Sequence, residues 1–303
     1  MKLCLGTVQQ GLEYGINNKY GKPSKEYSQK IFYEAVKHGI TMFDTARAYG
    51  DAELLLGEYL KEHGNRNEIK IISKLRPNIL EGCKDIYDTI CRECEGTLKR
   101  IGVESLDGYL LHTPEYIRDP KVVSALLKLK EEGYASHIGV SIYNIEDGDV
   151  AINTGAVDYI QLPFSIFDQR GKNSGFLRRA KEAKITVFAR SIFLQGLYFM
   201  DAGSLPEKVK RAEPMLRNWE LILEERHANR EEVLIEFVKQ SKEIDYLVFG
   251  VDTVEQLQRD ISVFESESKL DETIWNIIGE KFSDVEESII IPSLWAKQER
   301  KGK

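Results

Sequence analysis

Cysteine, histidine and surplus positive charge are all scarce in this chain, and each shortage closes off a class of protein. Four cysteines in 303 residues, Cys4, Cys83, Cys91 and Cys94, are too few and too irregular for a disulfide framework and suit a reducing cytoplasm. Cys91 and Cys94 have C-x-x-C spacing, but they lie inside a helical run from Asp85 to Ile101, without a second ligand pair for zinc. They read as helix-face residues. Five histidines, with no His-x-His after the first strand, are too few for a metal-dependent hydrolase, and no metal site is expected. Lys and Arg number 42 against 49 Asp and Glu, a formal net charge of −7, so the basic patch that nucleic acid or an anionic membrane wants is missing. No stretch approaches the ~20 apolar residues of a membrane span, and the start, MKLCLGTVQQ, lacks the apolar region of a signal peptide. A Gly-x-Gly-x-x-Gly after the first strand is also absent, which argues against a doubly wound dinucleotide fold.

What is present is a large apolar content, 42%, arranged as short strand-like runs alternating with amphipathic helices. Leu3 to Thr7 reads as the first strand. Ser24 caps a helix running to about His38, and Ile40 to Phe43 is the second strand. Further strands are expected at Ile69 to Ser73, Leu106 to Leu111, His137 to Ser141, Tyr159 to Leu162, Ile185 to Ser191 and Tyr246 to Phe249. Helices fall between them: Ala52 to Leu60, Asp85 to Ile101, Val122 to Leu129, Ile145 to Asn153 and Gly175 to Ala183. An insertion before the last strand reads as two helices, Glu207 to Arg226 and Arg230 to Lys239. Val254 to Phe264 follows the last strand, and Glu272 to Phe282 is appended. Eight strands alternating with helices, with no Pro/Gly/Ser linker, predict one (β/α)8 barrel over residues 1–303 with a C-terminal extension from about 271.

The chain is organised around Gly39 to Leu54, GITMFDTARAYGDAEL. This stretch puts Asp44 at a strand's carboxyl end and Tyr49 in the loop after it, the edge of a parallel sheet where ligands bind. Lys74 ends the third strand and His112 follows the fourth. Taken singly, Asp44 reads equally as a helix cap, Tyr49 as a rim aromatic, Lys74 as a solvated strand end and His112 as a core histidine. Together, FDTARAYGDAE, ISKL and YLLHTP resemble the aldo-keto reductase family along the length of the chain. The resemblance implies a (β/α)8 barrel that moves a hydride between NADP or NAD and a carbonyl. It makes Tyr49 the general acid, its pKa lowered by Lys74, with Asp44 holding Lys74 and His112 orienting the carbonyl oxygen.

The same resemblance assigns cofactor contacts along the strand ends. Ser141 and Gln161, in IGVSIYN and YIQLPFS, would bond the nicotinamide carboxamide, with Asn144 as a third partner. Phe164 would stack on the ring, where most members carry Tyr. Ser191, Leu194, Gln195 and Gly196, in ARSIFLQGL, would wrap the pyrophosphate, while Gly6, Thr7 and Gly250 border the cofactor at the first and last strands. At the adenosine end, FGVDTVEQLQRDI departs from the pattern. Gln256 stands where many NADP-using members have Arg, Asp252 and Asp260 are acidic, and Arg259 is the one guanidinium. The family prior favours NADP, and these residues push toward NAD or dual use. Tyr14, Tyr49, His112, the Pro114 to Tyr116 turn, Ile192, Phe193 and Trp295 are candidate substrate walls. Ile289 to Trp295 is too apolar to stay in water and is expected to pack on the barrel mouth or on a second subunit, whereas Lys297 to Lys303 reads as a frayed end. The leading expectation is a cytoplasmic carbonyl reductase or alcohol dehydrogenase, monomer or homodimer, acting on a small aldehyde, keto compound or sugar. The alternative is a cofactor-binding regulatory subunit with little turnover.

Overall fold

In a computed structural model, which describes residues 1–297, eight parallel strands close into a barrel in sequence order. They are β1 (Lys2–Gly6), β2 (Met42–Asp44), β3 (Lys70–Leu75), β4 (Leu106–Leu111), β5 (Ala135–Ser141), β6 (Tyr159–Pro163), β7 (Thr186–Arg190) and β8 (Tyr246–Phe249). Residues 298–303, most of the segment expected to fray, lie outside the described residues. β8 closes onto β1 with Cys4 opposite Val248 and Leu5 opposite Phe249. Closure hides both faces of every strand, which is why the strands read as apolar runs rather than alternating ones.

Side chains alternate across each strand, so one set faces the helices and the other fills the lumen. The outward set joins the helices in one continuous core. The inward set forms a compact layer of Cys4, Met42, Ile72, Leu110, Tyr159, Phe188 and Val248. At β5 this layer has Gly139, where a Cβ would sit 2.0 Å from the Tyr159 carbonyl oxygen. The lumen is therefore a solid plug. Two residues further along each strand, the same inward parity brings Gly6, Asp44, Lys74, His112, Ser141, Gln161, Arg190 and Gly250 to the carboxyl-end face.

Helix ends follow local chemistry. Ser24 accepts a hydrogen bond from the Tyr27 N–H at the start of Lys25–Lys37, and Asp85 does the same for Asp88 at the start of Ile86–Ile101. Cys91 and Cys94 are free thiols buried on the latter helix. The insertion between β7 and β8 departs from expectation: Glu207–Ala212 is a 3₁₀ turn, and the α-helix is only Glu213–Glu225. Pro214 explains the break, since its ring and missing N–H are tolerated in a first turn but not inside a helix begun at Glu207. After the helix Thr273–Phe282, the tail continues as short turns at Glu287–Ile290 and Pro292–Lys297. Ile289, Ile290, Ile291 and Trp295 are all buried against this chain's own core. Among the described residues no helix is long and apolar enough to cross a membrane.

Candidate active site

Lys74, 1% exposed, stands at the centre of the carboxyl-end face. Its Nζ donates to both carboxylate oxygens of Asp44, at 2.7 and 2.9 Å, to the Thr45 carbonyl at 3.0 Å and to the Tyr49 hydroxyl at 3.3 Å. Gln161 Nε2 donates to the same carboxylate at 2.5 Å, leaving Gln161 Oε1 buried without a partner. The Tyr49 and His112 rings meet edge to face, 5.8 Å between centroids. Tyr49 is held there by two glycines: a Cβ at Gly11 would lie 1.8 Å from the Tyr49 carbonyl oxygen, and one at Gly50 2.3 Å from that of Gly11. Gly50 also has φ +57°, a conformation that other residues rarely adopt.

The electrostatics follow from this packing. Burial works against the Lys74 charge, but the Asp44 carboxylate and the hydrogen bonds outweigh it and its pKa is raised. Burial pushes the Tyr49 phenol up more than Lys74 and Arg190 pull it down. This corrects the expectation of a lowered Tyr49 pKa, because desolvation is the larger effect in the free protein. The phenol is firmly protonated. Burial, then Lys74 and Arg190, bring His112 down to about 3, so its imidazole is neutral, with Nδ1 buried and unpartnered.

Asp44, Tyr49 and His112 floor a cleft of about 640 Å³, while Lys74 and Gln161 lie buried behind them and do not line it. Gly6, Tyr14, Ser141, Ser191, Ile192, Phe193, Leu194, Gln195, Gly196, Gly250, Gln256, Arg259 and Asp260 all line it. Ser191, Leu194 and Gln195 have φ of 62°, 43° and 55°, strained for residues with side chains. The strained loop is stitched across to the 15–18 loop: Ile16 N–H donates to the Gln195 carbonyl at 2.9 Å, and a Cβ at Gly196 would sit 2.9 Å from that of Asn17.

Several expected residues lie elsewhere. Phe164 is fully buried and stacks on Phe237 at 5.3 Å, away from the cleft. The reason is parity: Gln161 faces the lumen, so a residue three further on faces the helices. Asn144 is exposed at the start of Ile145–Thr154 and makes no side-chain cap. Thr7 is buried and bonds the Asp44 carbonyl at 3.2 Å, a strand-pairing role. Trp295 packs inward, its Nε1 donating to the Ile289 carbonyl at 3.0 Å, and the tail reaches the cleft through Pro292 and Ser293. The Pro114–Arg118 turn is also off the cleft, with the Tyr116 hydroxyl accepting from Leu80 N–H at 3.2 Å. Conversely, Arg190, Tyr143, Gln9 and Glu231 line the cleft and were not anticipated. Arg190 was legible, since it stands two residues after inward Phe188; Glu231, on a helix of the insertion, carried no such signal.

The far end of the cleft is acidic. Arg259 Nη1 is 3.4 Å from Glu231 Oε1, an exposed pair. Asp252 Oδ1 is buried without a partner, and burial lifts its carboxyl to about 6. Burial, and then Glu231, lift Asp260 to about 8 against the pull of Arg259. Gln256 is already engaged, its Oε1 accepting from the Asp252 N–H at 2.7 Å.

The closed (β/α)8 barrel agrees with comparison against known proteins. The family model for the aldo/keto reductase family matches residues 2–281, and the chain belongs to that family. Aldo-keto reductases use NADP or NAD. Among individual relatives, the chain is 28% identical to aldo-keto reductase YhdN of Bacillus subtilis over 205 residues, 66% of this chain and 61% of that protein. It is also 28% identical to aldo-keto reductase yakc [NADP(+)] of Schizosaccharomyces pombe, over 61% of this chain and 58% of that protein. The match therefore spans less than two thirds of the length of these curated relatives. In fold, aldo-keto reductase AKR11C1 of Bacillus halodurans superposes with a TM-score of 0.74 at 21% identity, covering 95% of this chain and 94% of that one.

Proposed function

We propose that the chain is an oxidoreductase that moves a hydride between NAD(P)H and the carbonyl of a small aldehyde, ketone or sugar, with Tyr49 as general acid. The observation that carries this reading is the Tyr49 hydroxyl 3.3 Å from a Lys74 whose charge is held by Asp44, beside a neutral His112 on the floor of the cleft. The protonated phenol gives its proton to the carbonyl oxygen as negative charge develops there. Lys74, 4.9 Å from the ring centroid, stabilises the phenolate left behind. The neutral His112 ring has one N–H to give to the same oxygen, fixing its direction. Asp44 does no proton transfer and keeps Lys74 charged and aimed. The nicotinamide supplies the hydride when bound.

The residues present fit that cofactor. Gln161 Oε1 and Ser141, paired in register across β5 and β6, offer an orphaned acceptor and a hydroxyl to a carboxamide. Gly250 keeps the floor low, since a Cβ there would lie 2.2 Å from Gln9 Oε1. The 191–196 loop offers a hydroxyl and backbone N–H groups to a pyrophosphate. At the far end, the orphaned Asp252 carboxylate suits a ribose hydroxyl and repels a 2′-phosphate, and Arg259 is engaged with Glu231. This supports NAD over NADP. Following nicotinamide absorbance with NADH and NADPH against aldehydes, ketones and sugars tests the reading. Turnover is expected and is greater with NADH; binding of either cofactor without turnover on any carbonyl would favour the regulatory alternative.

A further inference from the structure

We propose that Glu231 decides the choice between NAD and NADP by occupying Arg259, the guanidinium that a 2′-phosphate would otherwise find; this rests on the nicotinamide-dependent reading above. Glu231 lies in the first turn of the helix Arg230–Lys239, in the insertion between β7 and β8, and lines the cleft with Asp252, Gln256, Arg259 and Asp260. A carboxylate suits that turn, where helix N–H groups are exposed. Its place is fixed from several sides. The Asn229 side chain accepts from the Glu232 N–H at 3.0 Å, Arg230 Nη1 donates to the Tyr198 carbonyl at 2.9 Å, and Glu232 Oε1 accepts from the Lys269 N–H at 3.2 Å. Val233, Leu234 and Ile235 of the same helix are buried.

From there Glu231 Oε1 accepts from Arg259 Nη1 at 3.4 Å, and among the described residues Arg259 has no other ion-pair partner. The remaining cations that line the cleft, Lys19 and Arg190, stand on the loop after β1 and at the end of β7. Stability does not account for the pair. The Arg259 side chain is 54% exposed, where an ion pair contributes little, and Glu231 is, after burial, the next cause of the raised Asp260 pKa, so it stands close to a second acid. What the arrangement does is select. Ribose hydroxyls can donate to carboxylate oxygens, whereas a 2′-phosphate brings negative charge up to Asp252 and Glu231 and must take Arg259 from Glu231 before it gains a charge-assisted bond. Such discrimination works by repelling the wrong ligand more than by gripping the right one. It also puts the decision in the insertion, outside the stretch after β8 where Asp252 and Gln256 stand.

The test uses the full-length protein, its Glu231→Gln variant, and Glu231→Gln combined with Arg259→Gln. Calorimetry with 5′-AMP and 2′,5′-ADP, which differ by the 2′-phosphate alone, reads the site without turnover, and fluorescence titration of NADH and NADPH repeats the comparison on whole cofactors. The native protein is expected to bind 5′-AMP more tightly than 2′,5′-ADP. Glu231→Gln should tighten 2′,5′-ADP and NADPH by about tenfold relative to 5′-AMP and NADH, the scale of one charge-assisted hydrogen bond. Adding Arg259→Gln should remove that gain, which a change of packing at Glu231 would not do. Tighter native binding of 2′,5′-ADP than of 5′-AMP overturns the proposal and leaves the oxidoreductase reading in place. An equal gain for both adenylates in Glu231→Gln, a gain that survives in the double variant, or no binding of either adenylate overturns it as well. The expected pattern in a protein that reduces no carbonyl supports the proposal, and only the catalytic reading then fails.

Discussion

The two ends of the cleft solve the problem of buried charge in opposite ways. At the Tyr49 end a cation and an anion are locked together: Lys74 and Asp44 are both buried, and nearly every polar atom between them is bonded. At the Asp260 end carboxyls outnumber guanidiniums, and burial raises their pKa values instead, to about 8 at Asp260, which keeps its proton at neutral pH, and to about 6 at Asp252. Pairing gives a site whose protonation is set by geometry and insensitive to the medium. Protonation by burial gives one whose charge depends on pH and on what is bound.

The sharpest way to break the comparison is at the paired end. Tyr49→Phe should lower turnover by roughly 10²–10⁴ while leaving the affinity for the nicotinamide nearly intact, because the ring remains and the proton donor goes. Steady-state rates alongside a fluorescence titration measure both, and near-native turnover would remove Tyr49 from its role. Lys74→Met strands the Asp44 carboxylate in the interior, and urea unfolding should show a loss of about 3–5 kcal/mol. A loss below 1 kcal/mol would mean that Asp44 finds water on its own.

At the acidic end, Asp260 tests protonation by burial. Its carboxyl is raised to about 8 from an ordinary value near 4, so the folded state holds a proton that the unfolded chain releases. Stability is therefore lost progressively as pH rises from about 4 to about 8, and Asp260→Asn escapes that loss. The melting temperature of Asp260→Asn relative to the native protein should climb between pH 5 and pH 8.5; a constant difference would show that Asp260 is ionised throughout. The smallest effect is at Asp252. Asp252→Arg should shift the NADPH-to-NADH affinity ratio upward by about tenfold, one charge-assisted hydrogen bond's worth. Equal changes for both cofactors would move the adenosine ribose away from this residue.

The barrel and the four polar strand-end residues were legible because they rest on short-range rules: apolar runs for buried strands, Gly39 and Gly102 for helix ends, and polar residues at the carboxyl edge. Parity was equally legible and shows how a motif can mislead. Counting in twos from Phe188 places Arg190 in the lumen mouth, and counting from Gln161 sends Phe164 to the helices, where Phe237 takes it. The Glu231 contribution and the pKa values of Asp252 and Asp260 depend on which distant segments desolvate them. The inward turn of Trp295 depends on the Ile289 carbonyl, six residues back, being free to receive it. Neither has a local signature.

The plug of Cys4, Met42, Ile72, Leu110, Tyr159, Phe188 and Val248 closes the barrel beneath the site, so whatever reaches that floor comes from the carboxyl-end side. Under the proposed reading, of cofactor and carbonyl, the one whose reactive end lies deepest and whose length runs beneath the stitched 191–196 and 15–18 loops enters first and departs last. Under the same reading the order of arrival traces to a hydrophobic layer that touches neither visitor.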